Sequence, residues 1–201
     1  YAVATLPAFR GKGLMTRLDQ WAQEVIRQRG WTFSVLVPAE PGLFSMYEKL
    51  GYRSVFPIWT KEISGAGKNS GKFFLCSFET FQELRRRYLY RIPGAILHPD
   101  QELRYIYDEL HTFSGDILLY EEKETLCYVA FTQEEKGVLI REITGSDPVG
   151  TARELMRYCS AERALIRSAK PLRGFQRTPF GMGRRLDGGP IREGYMALML
   201  D

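Results

Sequence analysis

Between Pro7 and Gly30 the chain passes from a basic, glycine-punctuated turn into one long amphipathic helix, and that handover limits what can surround it. Apolar residues fall at 14, 15, 18, 21, 22, 25 and 26, the spacing of one helical face. Gln20, Gln23, Glu24 and Arg27 take the polar face. Gly30 stands where a left-handed residue commonly ends a helix. Ahead of the helix, Gly11 and Gly13 let the backbone bend tightly and keep side chains off the turn. The first-turn amides have no intrahelical acceptor and sit at the positive end of the helix dipole. Arg10 and Lys12 add charge beside them. Such a nest suits a pyrophosphate. The alternative is a tight turn with two solvated basic side chains. The dinucleotide pattern GxGxxG is not met, because the third glycine is missing.

The surrounding pattern is alternating. Residues 1–6 read as a strand closed by Pro7, and 32–37 as a strand closed by Pro38. Residues 43–50 form a short helix stopped by Gly51, and 52–59 a further strand. Strand, helix, strand, helix, strand with short connections favours a sheet whose central strands are parallel. The segment SGAGKNSG, residues 64–71, reads as a linker, since neither the P-loop spacing nor a strand-to-helix handover is present. Beyond it come a strand at 72–76, a helix at 78–91 capped by Ser77, and a helix at 99–110 with Pro99 in its first turn. Strands follow at 116–121, 125–132 and 137–143, then a helix at 150–159 and a strand at 162–168. Residues 170–190 read as irregular, and 195–200 as a last strand. The expected organisation is 1–63, a linker at 64–71, and a second α/β domain over 72–201.

Composition narrows the function. The chain has 201 residues, 44% of them apolar, enough for one large domain or two small ones. The net charge is +4, and residues 1–60 hold seven Lys/Arg against four Asp/Glu. That excess lies with the glycine turn and suits an anionic small molecule better than nucleic acid. Arg85, Arg86 and Arg87 form a basic run, but their surroundings are nearly charge-balanced, so no nucleic-acid partner is expected. Arg173, Arg177, Arg184 and Arg185 read as a solvated basic loop. Cys76, Cys127 and Cys159 are dispersed and odd in number, which suits a reducing, cytoplasmic location. His98 and His111 lack metal-ligand spacing, so no metal is expected. No apolar run approaches a membrane span, and no membrane partner is expected.

The stretch VATLPAFRGKGLMTRLDQWAQEVIRQRG, followed by LVPAEPGLFSMYEKLGYRS, resembles the GCN5-related N-acetyltransferase superfamily. The resemblance rests on Arg10, Gly11 and Gly13 in RGKGL and on Tyr47 to Tyr52, YEKLGY, in the expected order and spacing. It covers residues 1–59. It implies an α/β fold with a mixed sheet of acyl-CoA N-acyltransferase type. It implies acetyl-CoA as co-substrate, with its pyrophosphate held by Arg10, Gly11, Lys12, Gly13, Leu14 and Met15. The pantetheine arm would pair with the strand Ala2–Leu6, at Val3, Ala4 and Thr5. Tyr47 would protonate the departing thiolate; its other reading is an aromatic packed under the cofactor. Glu40 stands where many relatives carry asparagine, either facing a cationic acceptor or capping its own turn.

The implied activity is direct transfer of an acetyl group to a primary amine on a small molecule or peptide. The alternative is an inactive acyl-CoA-binding or protein-interaction module. The second half resembles a degenerate copy of the same domain, as in tandem members related to the mycobacterial aminoglycoside-acetylating enzymes. Its turn GSDPVG, 145–150, lacks the arginine and the close glycine pair. In those enzymes a terminal carboxylate acts as base, which makes Asp201 the candidate here. The superfamily's early strands do not precede this glycine turn. The sheet is therefore expected to be incomplete at its N-terminus, with missing strands or a partner chain completing it.

Overall fold

A computed structural model describes residues 3–68, 70–112, 114–122, 125–196 and 198. After a single 3₁₀ turn at Pro7–Phe9, the order is α1 (Leu14–Gln28), β1 (Phe33–Leu36), α2 (Leu43–Lys49), β2 (Arg53–Ser64), β3 (Lys72–Leu75) and α3 (Phe78–Leu89). There follow α4 (Asp100–Thr112), β4 (Gly115–Glu122), β5 (Thr125–Gln133), β6 (Gly137–Ile143), α5 (Pro148–Tyr158), β7 (Arg163–Ser168) and β8 (Gln176–Arg185).

The chain forms two compact units, residues 1–56 with 180–193, and residues 57–179 with 194–201. Strands β2 and β8 contribute residues to both. In the first unit, β1 pairs antiparallel with β8, from Phe33 opposite Arg185 to Leu36 opposite Met182. Gly183 permits this close approach, since a Cβ there would stand 2.7 Å from the Phe33 ring. In the second unit, β2 pairs antiparallel with β7 from Trp59 opposite Ser168 to Ser64 opposite Arg163. Strand β7 is parallel to β6, and β6, β5, β4 and β3 form an antiparallel meander.

Alternation along the meander builds two cores on opposite faces. Leu118 and Val129 face Ala152, Leu155 and Met156 of α5. Ile117, Tyr128 and Ala130 face Phe81 of α3 and Leu103, Ile106 and Leu110 of α4. Ser77 starts α3 by accepting a hydrogen bond from the Thr80 amide.

Several expectations are corrected. The strand order is β1-β8-β2-β7-β6-β5-β4-β3, one mixed eight-stranded sheet. Strands after residue 71 belong to the same sheet as β2, and the described residues give no clear evidence of a degenerate copy of the first domain. Nor does the sheet call for missing N-terminal strands or a partner chain: its eight strands all come from this chain. The parallel arrangement expected for residues 1–60 is not seen either. Residues 3–6 are irregular, and β1 and β2 pair antiparallel with β8 and β7. Residues 170–190 include a ten-residue strand, β8. Of the strand expected at 195–200, Tyr195 forms an isolated bridge with Ala95 and Met196 is buried as core, while 197, 199 and 200 lie outside the described residues.

The glycine-rich segment 64–71 is packed rather than free. The Gly67 amide donates to the Arg153 carbonyl at 2.8 Å, and the Lys68 amide and Ser70 hydroxyl donate to Glu154. Burial opposes ionisation of Glu154, but the bonds from Ser70, Arg157 and Lys68 outweigh it and hold the carboxyl below its ordinary value.

Candidate functional site

The glycine turn folds as its residues require. Gly11 has φ +74° and Gly13 φ +70°, left-handed values that glycine adopts without strain. A Cβ at either would meet nothing within 4 Å, so both faces are open. Gly13 is the N-cap of α1, and no side chain caps the helix. The first intrahelical bond runs from Arg17 N–H to the Gly13 carbonyl at 3.1 Å. The amides of Leu14, Met15 and Thr16 therefore lack intrahelical acceptors. Arg10 Nε donates to the Thr5 carbonyl at 3.2 Å and ties the turn to the segment before it. The Lys12 ammonium lies 5.0 Å from the Phe9 ring centre.

Beside this turn is a cavity of about 270 Å³ lined by Val3, Ala4, Thr5, Leu6, Phe9, Leu14, Met15 and Leu18. The structure thus brings Val3, Ala4, Thr5, Leu14 and Met15 to one cavity next to Gly11 and Gly13. Residues 3–6 meet it as irregular chain, not as a strand. A cradle of open glycines, uncapped amides and an apolar wall fits a phosphate-bearing molecule with an apolar arm. The turn before α5 has the opposite chemistry. The Asp147 side chain accepts from the Gly150 amide at 2.9 Å, so a carboxylate already fills that anion-binding position.

Tyr47 lies on α2, half-buried. The Tyr47 carbonyl accepts from the Leu50 and Tyr52 amides, and the Gly51 amide donates to Glu48. This closes α2 in a Schellman turn with Gly51 at φ +88°. The Tyr47 ring stands edge-on to Tyr52, with centroids 5.8 Å apart. Burial first, then the nearby Asp19 carboxylate, raises the Tyr47 phenol above its ordinary value. It is protonated near neutral pH and able to donate. Glu40 begins a turn in which its carbonyl accepts from the Leu43 amide at 3.0 Å. Asp201 lies outside the described residues.

The sequence reading missed a buried polar cluster. The buried residues of α1 are Asp19 and Gln23, the latter expected on its polar face. Leu14, Leu18 and Trp21, expected on its apolar face, are 39, 46 and 65% exposed. Tyr52 Oη donates to Asp19 Oδ1 at 3.1 Å, accepts from Gln23 Nε2 at 2.7 Å and meets Ser34 Oγ at 2.9 Å. Arg184, assigned to a solvated loop, sits in β8 with Nη1 3.5 Å from Asp19 Oδ2. The available signal was the i, i+4 pair Asp19–Gln23, which hydrogen-bonds at 3.2 Å.

Among the described residues, no group of three or more His, Cys, Asp or Glu is placed to hold a metal, and no helix is long and apolar enough to cross a membrane.

Residues 1–55 match a family model described as an acetyltransferase (GNAT) domain. Among solved structures, the chain is similar to a GCN5-related N-acetyltransferase from Anabaena variabilis, with TM-score 0.68 and 20% identity over 92% of this chain and 53% of that one. A GCN5-related N-acetyltransferase from Kribbella flavida gives TM-score 0.65 and 19% identity over 93% of this chain and 51% of that one. Eis1 from Mycobacterium abscessus gives TM-score 0.61 and 12% identity over 92% and 55%. The chain therefore spans about half the length of the structures it matches. No curated protein matches it significantly. Its fold is that of the GCN5-related N-acetyltransferases. At 20% identity or less, the likeness does not single out the aminoglycoside-acetylating branch.

Proposed function

We propose that this protein is an acetyl-CoA-dependent N-acetyltransferase acting on a primary amine. The observation that carries the reading is the cavity lined by Leu14 and Met15 of the uncapped first turn of α1, which the open glycines 11 and 13 directly precede in the chain. The amides of Leu14 to Thr16, with Arg10 and Lys12, would hold the pyrophosphate. Val3, Ala4, Thr5 and Leu18 would hold the apolar arm. When bound, the thioester supplies an activated acetyl group. The protein's share is orientation of the two reactants, which removes much of the barrier, and a proton for the sulfur that departs. Tyr47 would hold that proton at its phenolic oxygen. Asp201 and the side chain of Glu40 are candidates to take the amine's proton. The fold and the match over residues 1–55 support acetyl-CoA-dependent acyl transfer in general. Three unpaired cysteines suit a cytoplasmic location.

The test is acetyl-CoA turnover by the full chain, followed as thiol release, across amines, aminoglycosides and peptides. Turnover is expected, with Tyr47→Phe lowering kcat by about 10²-fold or more, the usual contribution of a positioned acid. Binding of acetyl-CoA without thiol release would favour the inactive module. Absence of both would overturn the reading.

A further inference from the structure

Helix α1 serves two surfaces. Its first turn borders the cavity, and its middle carries Asp19 and Gln23 into the buried cluster. That cluster joins parts of one unit: Asp19 and Gln23 from α1, Ser34 from β1, Tyr52 from the turn just before β2, and Arg184 from β8. Arg184 also packs over the turn that closes α2, where a Cβ on Gly51 would stand 3.3 Å from Arg184 Nε. Tyr52 is the hub. Its hydroxyl is fixed by three side chains, its ring meets Tyr47 at 75°, and its amide donates to the Tyr47 carbonyl at 3.1 Å.

Such a cluster is a poor means of gaining stability. Asp19 is nearly buried, and its arginine stands 3.5 Å away rather than in a close paired fork. Gln23 Oε1 is buried with no partner among the described residues. Apolar side chains of similar volume would hold the same elements together at least as well. What they would not do is define one orientation. A hydroxyl held by a carboxylate, an amide and a second hydroxyl permits Tyr52 one position, and Tyr47 rests against it in both ring and backbone.

We propose that Asp19, Tyr52 and Arg184 are positioning residues that set the place of the Tyr47 hydroxyl relative to α1, a role that rests on the acetyl-transfer reading above. Two residues act on Tyr47 from neighbouring elements, Asp19 from α1 and Tyr52 from just before β2, while Arg184 on β8 reaches Asp19. Asp19 thereby helps keep the phenol protonated.

The experiment uses the full chain and two readouts. The first is kcat and KM for acetyl-CoA as a function of pH in wild type, Tyr47→Phe and Tyr52→Phe. Tyr52→Phe keeps the ring and removes only the hydroxyl. It is expected to lower kcat about tenfold, less than loss of the acid itself, with KM for acetyl-CoA within about twofold. The second readout is NMR titration of ¹³Cζ-labelled tyrosine, with Tyr47 assigned from Tyr47→Phe. In Asp19→Asn the Tyr47 midpoint is expected to fall, because a negative charge has gone. Should Asp19→Asn fail to fold, Tyr52→Phe decides the matter alone. If Tyr47→Phe is impaired but Tyr52→Phe keeps its kcat, or loses melting temperature and KM together with an unchanged pH profile, the inference is overturned. If wild type neither binds nor turns over acetyl-CoA, the parent reading has failed instead. A Tyr47 midpoint unmoved in Asp19→Asn then overturns the positioning role on its own terms.

Discussion

Arg85 Nε and Glu142 Oε1 meet at 2.9 Å between side chains 3% and 1% exposed. Tyr128 donates to the same oxygen at 2.6 Å. A buried pair of this kind contributes little over apolar residues of equal volume, yet breaking it leaves an uncompensated charge inside. Glu142→Ala is therefore expected to destabilise the protein by about 3–5 kcal/mol. Arg85→Met combined with Glu142→Leu should recover most of that loss. Urea unfolding of the single and double variants measures both, and equal stability of Glu142→Ala and wild type would contradict the account.

His98 gives the same region a pH dependence. Arg85 Nη1 lies 3.2 Å from His98 Nδ1, and an arginine only donates, so that nitrogen is the acceptor. Burial first, then the Arg85 charge, lowers the imidazole to about 4. The unfolded chain protonates near 6.5, so between 6.5 and about 4 it binds more protons than the folded one. Stability tied to His98 is present above pH 6.5 and is lost as the pH falls through that window. The loss is on the order of 3 kcal/mol at most. His98→Gln should flatten the stability profile between pH 6.5 and 4, and a profile as steep as wild type would exclude this source.

Gly13→Ala separates the glycine turn from its ligand. Gly13 has φ +70° with open space around it, so the substitution introduces backbone strain and no clash. An L-residue there costs about 1–2 kcal/mol. If that strain moves the first-turn amides, acetyl-CoA affinity should fall by about tenfold, the equivalent of 1.4 kcal/mol. Calorimetric titration of the variant against acetyl-CoA gives the number. Affinity equal to wild type would place the ligand elsewhere.

Gly67→Ala tests whether the glycine-rich segment is packed. A Cβ there would lie 2.4 Å from Glu154 Cδ and 2.9 Å from the Glu154 backbone nitrogen. Overpacking of this kind costs about 1–3 kcal/mol. Gly42→Ala, with nothing within 4 Å and an ordinary helical φ of −63°, is the control. It should change stability by less than about 0.5 kcal/mol. Thermal melts that rank the two variants equally would mean that residues 64–71 behave as a free linker.

Local chemistry was legible along the chain. Gly30 and Gly51 end their helices with φ +74° and +88°, and Ser77 caps α3. The meander and the helix before β7 were read nearly to their ends. Strand β8 was not, because its glycines, proline and arginines read as a loop. Its strand character depends on Phe33, Val55 and Phe56 closing over Gly183, contacts from residues far away in sequence. Of the residues lining the candidate cavity, Leu14 and Met15 follow the turn motif directly and Val3, Ala4 and Thr5 came with the family resemblance, whereas Leu6, Phe9, Leu18 and the Tyr52 cluster were not read.

The sequence by itself determined where several helices begin and end and where the glycine turn before α1 lies, since caps, glycine torsions and periodicity act over a few residues. Tertiary structure alone decided which side of α1 is covered. A periodic stripe states that a helix has two faces, not which one meets the sheet. Here Asp19 and Gln23 go inward because Tyr52, Ser34 and Arg184 offer hydrogen-bond partners there. Leu14 and Leu18 remain at the cavity beside the glycine turn. Strand pairing followed the same rule: β2 finds β7 a hundred residues later, and only the assembled sheet could show it.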